Sequence, residues 1–334
     1  MSEASGALPG GGSTSAKPKV LYISSVGRSG TTLMSLVLGQ LPGFCDVGEL
    51  WALWRPAFAT GTCGCGLFVR DCPFWLAVAK SALGQDYEHD GPELGRLHKR
   101  RLGTTRAANV WLHVRGLHRL DDYDHYARGL EAHYRAIADQ SGARVIVDCS
   151  DMPADGILAS SLDSVELFVL HMVRDPRGVA YSWGKDINLT GNEGARGDVH
   201  GPGNAALRWS LNNLYTNRLL APLVPGRSRV LRYEDFVTDP RGVLSDLLAW
   251  LGEEPTELPL VADGRAVVLE STHSVFGNRL RFHRGTVPLR LDLEWQERMP
   301  ARDRHVVTAV AAPYLRRYRY PWRTSGPSVE PDGA

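Results

Sequence analysis

The residues best placed for chemistry stand close to the start of the chain, at Gly27-Arg28-Ser29-Gly30-Thr31-Thr32. A glycine-rich turn that enters a helix aims several backbone N–H groups at one point, at the positive end of the helix dipole, and suits a phosphate-like anion. Arg28 adds a fixed cation, and the Thr31 and Thr32 hydroxyls add donors. The same residues would also make an ordinary glycine turn with a threonine N-cap. This is not a Walker A loop of the form G-x-x-x-x-G-K-[ST], because only Arg28 and Ser29 separate the glycines and no lysine follows. ATP or GTP hydrolysis is the weaker expectation.

Such a turn needs a strand before it and a helix after it. Val20-Leu21-Tyr22-Ile23-Ser24 is a short apolar run of β-formers and reads as a buried strand. Leu33, Leu36, Val37 and Leu38 recur at helical spacing over 31–41, with Pro42-Gly43 as the stop. Residues 45–80 read as irregular up to a helix near 73–83. Helical stretches follow over 93–118 and 122–140, strands at 145–148 and 165–172, and a helix over 176–185. The Gly-rich stretch 190–203 predicts a loop. A helix over 204–221, a strand at 229–233, a helix over 240–252, a loose segment and a helix over 300–318 complete the pattern. Strands alternating with helices predict an α/β fold with a mostly parallel central sheet flanked by helices. One domain over 18–322, with a helical insertion at about 86–140, stands between disordered tails at 1–17 and 323–334.

Composition bounds the function. The chain has 334 residues, of which 43% are hydrophobic and 22% charged, enough to bury a large core. The net charge of +1 lacks the basic excess of a duplex nucleic-acid binder. No apolar run has the length of a membrane span, and the first sixteen residues lack the features of a signal peptide. A cytoplasmic, reduced protein is the expectation. Of the 38 basic residues only Lys17, Lys19, Lys80, Lys99 and Lys185 are lysines, so an anion site here is built from guanidinium groups.

The Arg-Ser-Gly-Thr-Thr loop resembles the 5′-phosphosulfate loop of sulfotransferases that use 3′-phosphoadenosine 5′-phosphosulfate (PAPS). The similar branch contains the Golgi carbohydrate and tyrosylprotein enzymes and many bacterial relatives. The segment His171-Met172-Val173-Arg174-Asp175-Pro176-Arg177 with Ser182 resembles the family's 3′-phosphate segment. Leu231-Arg232-Tyr233-Glu234-Asp235-Phe236 is similar to its Tyr-Glu-Asp segment, and Arg284-Gly285 with Trp295 to its late nucleotide-closing loop. The resemblance covers most of 19–298 and implies a P-loop-like sulfotransferase fold. It also implies that Arg28, Ser29, Gly30, Thr31 and Thr32 bind the 5′-phosphosulfate. Arg174 and Ser182, aided by Arg284 and Gly285, would hold the 3′-phosphate, and Tyr233 would lie near the adenine. PAPS is then the co-substrate, no metal is expected, and the acceptor is a small molecule or glycan with a hydroxyl group.

Gly48-Glu49 resembles the segment that supplies a catalytic carboxylate in the tyrosylprotein branch, which makes Glu49 the candidate general base, with Arg28 assisting catalysis. His171 is a weaker candidate inside a buried strand, and His113 and His118 are acceptor contacts or surface residues. Many relatives carry a lysine where this chain has Asp151. An anion there would oppose the sulfuryl group, so either Asp151 points away, Arg28 or Lys185 substitutes, or PAPS binds poorly. That departure keeps open a non-catalytic PAPS-binding protein, and the shared strand–loop–helix start a nucleotide-dependent phosphotransferase. Cys63, Cys65 and Cys72 match zinc spacing poorly, so packed reduced thiols are expected first, a disulfide second and a metal site last. Trp51, Trp54 and Trp75 are either an apolar acceptor wall or core.

Overall fold

Residues 17–185 and 201–322 are described by the structure, a computed structural model. Apart from Lys17 and residues 201–203, the tails and the loop read at 190–203 lie outside the described residues.

Five strands form one parallel sheet in the order β2-β3-β1-β4-β5. They are β1 (Lys19–Ser24), β2 (Phe44–Gly48), β3 (Val145–Asp151), β4 (Glu166–Val173) and β5 (Ser228–Arg232). β1 lies at the centre and is buried on both faces, which is why it reads as a continuous apolar run. Val20 and Tyr22 join one core layer, and Leu21 and Ile23 the other. Each such side chain contributes about 1.5–3 kcal/mol by leaving water.

Helices cover both faces. On the Leu21 side lie α1 (Thr31–Leu38) and α9 (Pro240–Leu251). On the Tyr22 side lie α2 (Pro73–Leu83), α3 (Tyr87–Arg101), α4 (Ala107–Val114), α5 (Asp121–Ser141) and α6 (Pro153–Ala159). Beyond β4, α7 (Pro176–Trp183), α8 (Pro202–Tyr215) and α10 (Ala301–Arg317) pack together through Val179, Trp209 and Leu315. Among the described residues no helix is long and apolar enough to cross a membrane.

Three sequence expectations are corrected. The stretch expected to be irregular contains strand β2, whose Asp46 and Gly48 are poor β-formers held by pairing to β3. The helix expected over 93–118 is two, separated at Leu102-Gly103. The loose segment after α9 holds a small antiparallel sheet, β6 (Leu260–Val261), β7 (Ala266–Leu269) and β8 (Gly285–Pro288).

The chain leaves β1 toward one side of the sheet and returns through β4 on the other. The crevice outside the carboxyl ends of these strands is where open α/β sheets bind ligands. Ser24, Gly48, Asp151 and Val173 all end there.

Candidate active site

The turn between β1 and α1 is tied down from three sides. Ser25 donates its N–H to the Asp151 carbonyl at 3.0 Å and its hydroxyl to the Met172 carbonyl at 2.6 Å. Arg174 donates Nη1 to the Arg28 carbonyl at 2.9 Å. Arg28 and Gly30 both take positive φ, 76° and 89°, so successive amides turn inward. The N-cap of α1 is Gly30, with no side-chain cap. Thr31 instead approaches Asp151 Oδ2 at 3.5 Å, so the ordinary threonine-cap reading is replaced.

Two groups in this turn lack protein partners among the described residues. The hydroxyl of Ser29 is buried without a hydrogen bond among the described residues, which an unliganded interior rarely leaves. Among the same residues no carboxylate pairs with Arg28. Burial, and then the nearby Arg174 guanidinium, lower the Arg28 pKa. Two guanidiniums are thus crowded together beside the turn. Gly30 is required twice over, because a Cβ there would stand 2.5 Å from the Tyr233 ring as well as at positive φ. Gly30→Ala is expected to destabilise the protein by about 2–4 kcal/mol in denaturant unfolding. A loss under 0.5 kcal/mol would contradict this geometry.

Glu49 follows β2 and is half-buried. Trp51 donates its ring N–H to Oε2 at 3.0 Å. Trp51 is itself held by its backbone N–H to the Ser150 hydroxyl at 3.3 Å, and Ser150 by Asp148. Oε1 faces Gly277 beside the Thr32 hydroxyl, so the carboxylate borders the anion loop. Burial pushes the Glu49 pKa up to about 7, with Trp51 and Arg281 opposing the shift.

Asp151 does not point away. Oδ2 turns to Thr31, and Oδ1 is buried without a partner among the described residues. Burial, then the Glu49 charge, raise its pKa well above the carboxylate range. Burial thus opposes a negative charge on Asp151 beside the turn.

Arg281, missed from the sequence, is buried, donates Nη1 to the Gly277 carbonyl at 2.6 Å and lies close enough to interact with Glu49. Its signal was a third arginine in the run 279–284, where only Arg284 drew attention. Lys185 is engaged by Glu294 and leaves no free charge for the loop.

Arg174 is buried, with Nη2 on Asp292 Oδ2 at 2.9 Å and its guanidinium 4.9 Å over the Tyr233 ring. Ser182 stands two turns along α7, half-buried. The structure thus brings Arg28, Ser29, Gly30, Arg174 and Tyr233 together. It does not bring Arg284 and Gly285 to them. Arg284 donates to the Gly64 carbonyl and to Ser271, and Gly285 opens β8 opposite Leu269. The late segment at Arg174 and Tyr233 is instead Arg290–Asp292, through the Arg290 carbonyl and the Asp292 carboxylate.

His171 is a buried core residue on Asn213, its pKa lowered to about 4 by burial. His113 is buried in α4 and accepts from the Leu120 N–H, and His118 is exposed. Of the tryptophans, Trp75 is core, Trp54 pairs with His133, and Trp51 alone flanks Glu49. All five cysteines are free thiols in the structure, with no S–S bond between them.

Comparison with known proteins gives three findings. Residues 167–257, from β4 through α9, match a family model described as "Sulfotransferase family". No curated protein matches the chain. Among solved structures, the chain is similar to the sulfotransferase domain from the curacin biosynthetic pathway, at 16% identity over 92% of this chain and 99% of that one, with TM-score 0.48. It is also similar to the sulfotransferase domain of the Synechococcus PCC 7002 olefin synthase, at 20% identity over 90% and 96%, with TM-score 0.46. A sulfotransferase from Alicyclobacillus acidocaldarius shows 14% identity over 90% and 94%, with TM-score 0.36.

Proposed function

We propose that this chain, which carries the sulfotransferase-family segment at residues 167–257, moves a sulfuryl group from PAPS to an acceptor hydroxyl. The observation that carries this reading is the pair of guanidiniums, Arg28 and Arg174, joined through the Arg28 carbonyl beside the unpartnered Ser29 hydroxyl. PAPS carries anionic groups at the 3′ and 5′ positions of its ribose and needs two such pockets. The turn amides, Arg28 and Ser29 serve the 5′-phosphosulfate. Arg174 serves the 3′-phosphate with Ser182, and Asp292 then yields its place on Arg174 to the phosphate. The Tyr233 ring borders the nucleotide.

Glu49 accepts the acceptor's proton as its oxygen bonds to sulfur. The bond from sulfur to the 5′-phosphate oxygen breaks, and the electron pair leaves on that oxygen, where the turn donors and Arg28 stabilise it. Such in-line transfer depends mostly on positioning and charge stabilisation. Asp151 borders the same turn through the Thr31 hydroxyl. Trp51 forms an apolar edge on the acceptor side of Glu49.

PAPS labelled in its sulfuryl group, incubated with a panel of sugar, phenol, lipid and metabolite hydroxyls, tests this reading. Label on at least one acceptor is expected. Binding without transfer across the panel would favour the non-catalytic reading, which the Asp151 replacement motivates. Transfer of phosphate from ATP with magnesium instead would replace the proposal with a phosphotransferase.

A further inference from the structure

The three cysteines of the segment before α2 meet a histidine from the far end of the chain. The Sγ atoms of Cys63, Cys65 and Cys72 and a ring nitrogen of His273 all lie within 4.8 Å of one another. Cys65 and Cys72 sulfurs are 3.8 Å apart, and His273 Nδ1 lies 3.7 Å from Cys63 and 3.4 Å from Cys72 sulfur. A tetrahedral zinc with bonds of about 2.3 Å to sulfur and about 2.0–2.1 Å to nitrogen sets S···S edges near ~3.8 Å and S···N edges near ~3.6 Å. These three edges lie within about 0.2 Å of those lengths, and the remaining three lie within 4.8 Å. A disulfide requires about 2.05 Å.

We propose that Cys63, Cys65, Cys72 and His273 bind a structural Zn²⁺ ion. Four protein ligands close the coordination shell, so the ion braces the fold and takes no part in transfer. Binding releases the thiol protons to solvent, leaving three thiolates and a neutral imidazole on the ion.

The surroundings are built for this. Residues 62–68 close a tight turn, with Cys63 N–H on the Leu67 carbonyl and Gly66 N–H on the Cys63 carbonyl, both at 2.8 Å. Gly66 takes φ +97°, which lets the turn present Cys63 and Cys65 to one point. The His273 ring stacks on Phe74 at 4.5 Å, and its carbonyl accepts from Trp75 Nε1 at 2.8 Å, which fixes Nδ1 toward the sulfurs. The buried guanidinium of Arg281 lies within electrostatic reach of Cys63, where three thiolates on one divalent ion leave net negative charge.

The ion would join residues 63–72 to the strand-end loop 271–275. That loop donates the Val275 N–H to the Val47 carbonyl at 3.0 Å, immediately before Gly48 and Glu49, and leads to Gly277 against Glu49. The brace stands behind the carboxylate, independent of which nucleotide the anion loop binds.

The test is metal analysis of the full chain, expressed with zinc in the medium and purified without a metal column or chelator. The expected result is about one zinc per chain, released when a mercurial titrates the thiols. His273→Ala and Cys65→Ser are each expected to lower the content at least ~5-fold. His273→Cys, which restores a fourth ligand, and Cys45→Ser, outside the cluster, are expected to keep it. Cobalt replacing zinc should give the intense visible bands of a tetrahedral thiolate site. Because the wild-type stoichiometry decides first, a variant that fails to fold leaves the proposal testable. Wild-type chain with under ~0.1 zinc and all thiols open to alkylation would overturn it, as would a Cys65–Cys72 disulfide or iron at the site.

Discussion

Glu49→Gln is expected to lower turnover about 10²–10⁴-fold, the range of general-base catalysis, while affinity for 3′-phosphoadenosine 5′-phosphate changes less than about 3-fold. Glutamine keeps the shape and can still meet the Trp51 ring N–H, so the loss is of the proton acceptor alone. The base must be ionised, and burial pushes Glu49 up to about 7. kcat/KM of the wild type should therefore rise with pH through about 7 and level above it, as an apparent value of the Glu49–Asp151 pair. Residual activity of the variant should lose that limb.

The same substitution has a stability readout of opposite sign. The folded pKa of Glu49 is raised above its ordinary 4.5, so ionising it costs stability as pH rises from 4.5 to about 7. Glutamine removes that cost. Glu49→Gln should leave stability unchanged near pH 4.5 and gain about 1–2 kcal/mol above pH 7, discounted for the water-facing part of the side chain. Unchanged turnover with unchanged pH dependence would remove Glu49 from the mechanism.

Arg174→Ala is expected to weaken 3′-phosphoadenosine 5′-phosphate about 30–1,000-fold, as loss of a buried charge pair does. Adenosine 5′-phosphate, without the 3′-phosphate, should lose far less. It should lose something, because Arg174 Nη1 also supports the Arg28 carbonyl in the 5′ turn. The ratio of the two losses is the measurement, read by titration calorimetry. Ser182→Ala should cost the bisphosphate about 3–10-fold, one hydrogen bond's worth. Asp292→Asn should tighten it, since it removes the carboxylate that now holds Arg174. Equal losses for both nucleotides with Arg174→Ala would place the 3′-phosphate elsewhere.

What the sequence made legible is local. The turn at 27–32 announced itself because its strand is buried on both faces and its helix keeps a clear apolar spacing. Arg174 and Tyr233 were legible because each sits at the end of a strand with its own short motif. Contacts between distant segments were not. The late arginine of the family pattern pointed to Arg284, yet that side chain turns to Gly64, and Asp292 meets Arg174. Arg281 looked like one more residue of an arginine-rich run until burial beside Glu49 set it apart. Asp151 read as a misplaced charge because sequence shows the residue type and not its burial beside Glu49, which raises its pKa. His273, some two hundred residues from Cys72, carried no spacing signal at all.

The central claim is that the two joined guanidinium pockets are made for a 3′,5′-bisphosphate nucleotide. Calorimetric titration of the full chain with 3′-phosphoadenosine 5′-phosphate, beside ATP with magnesium, tests it most directly. The account predicts binding of the bisphosphate at least ~100-fold tighter than ATP. Tighter binding of ATP with magnesium would contradict it.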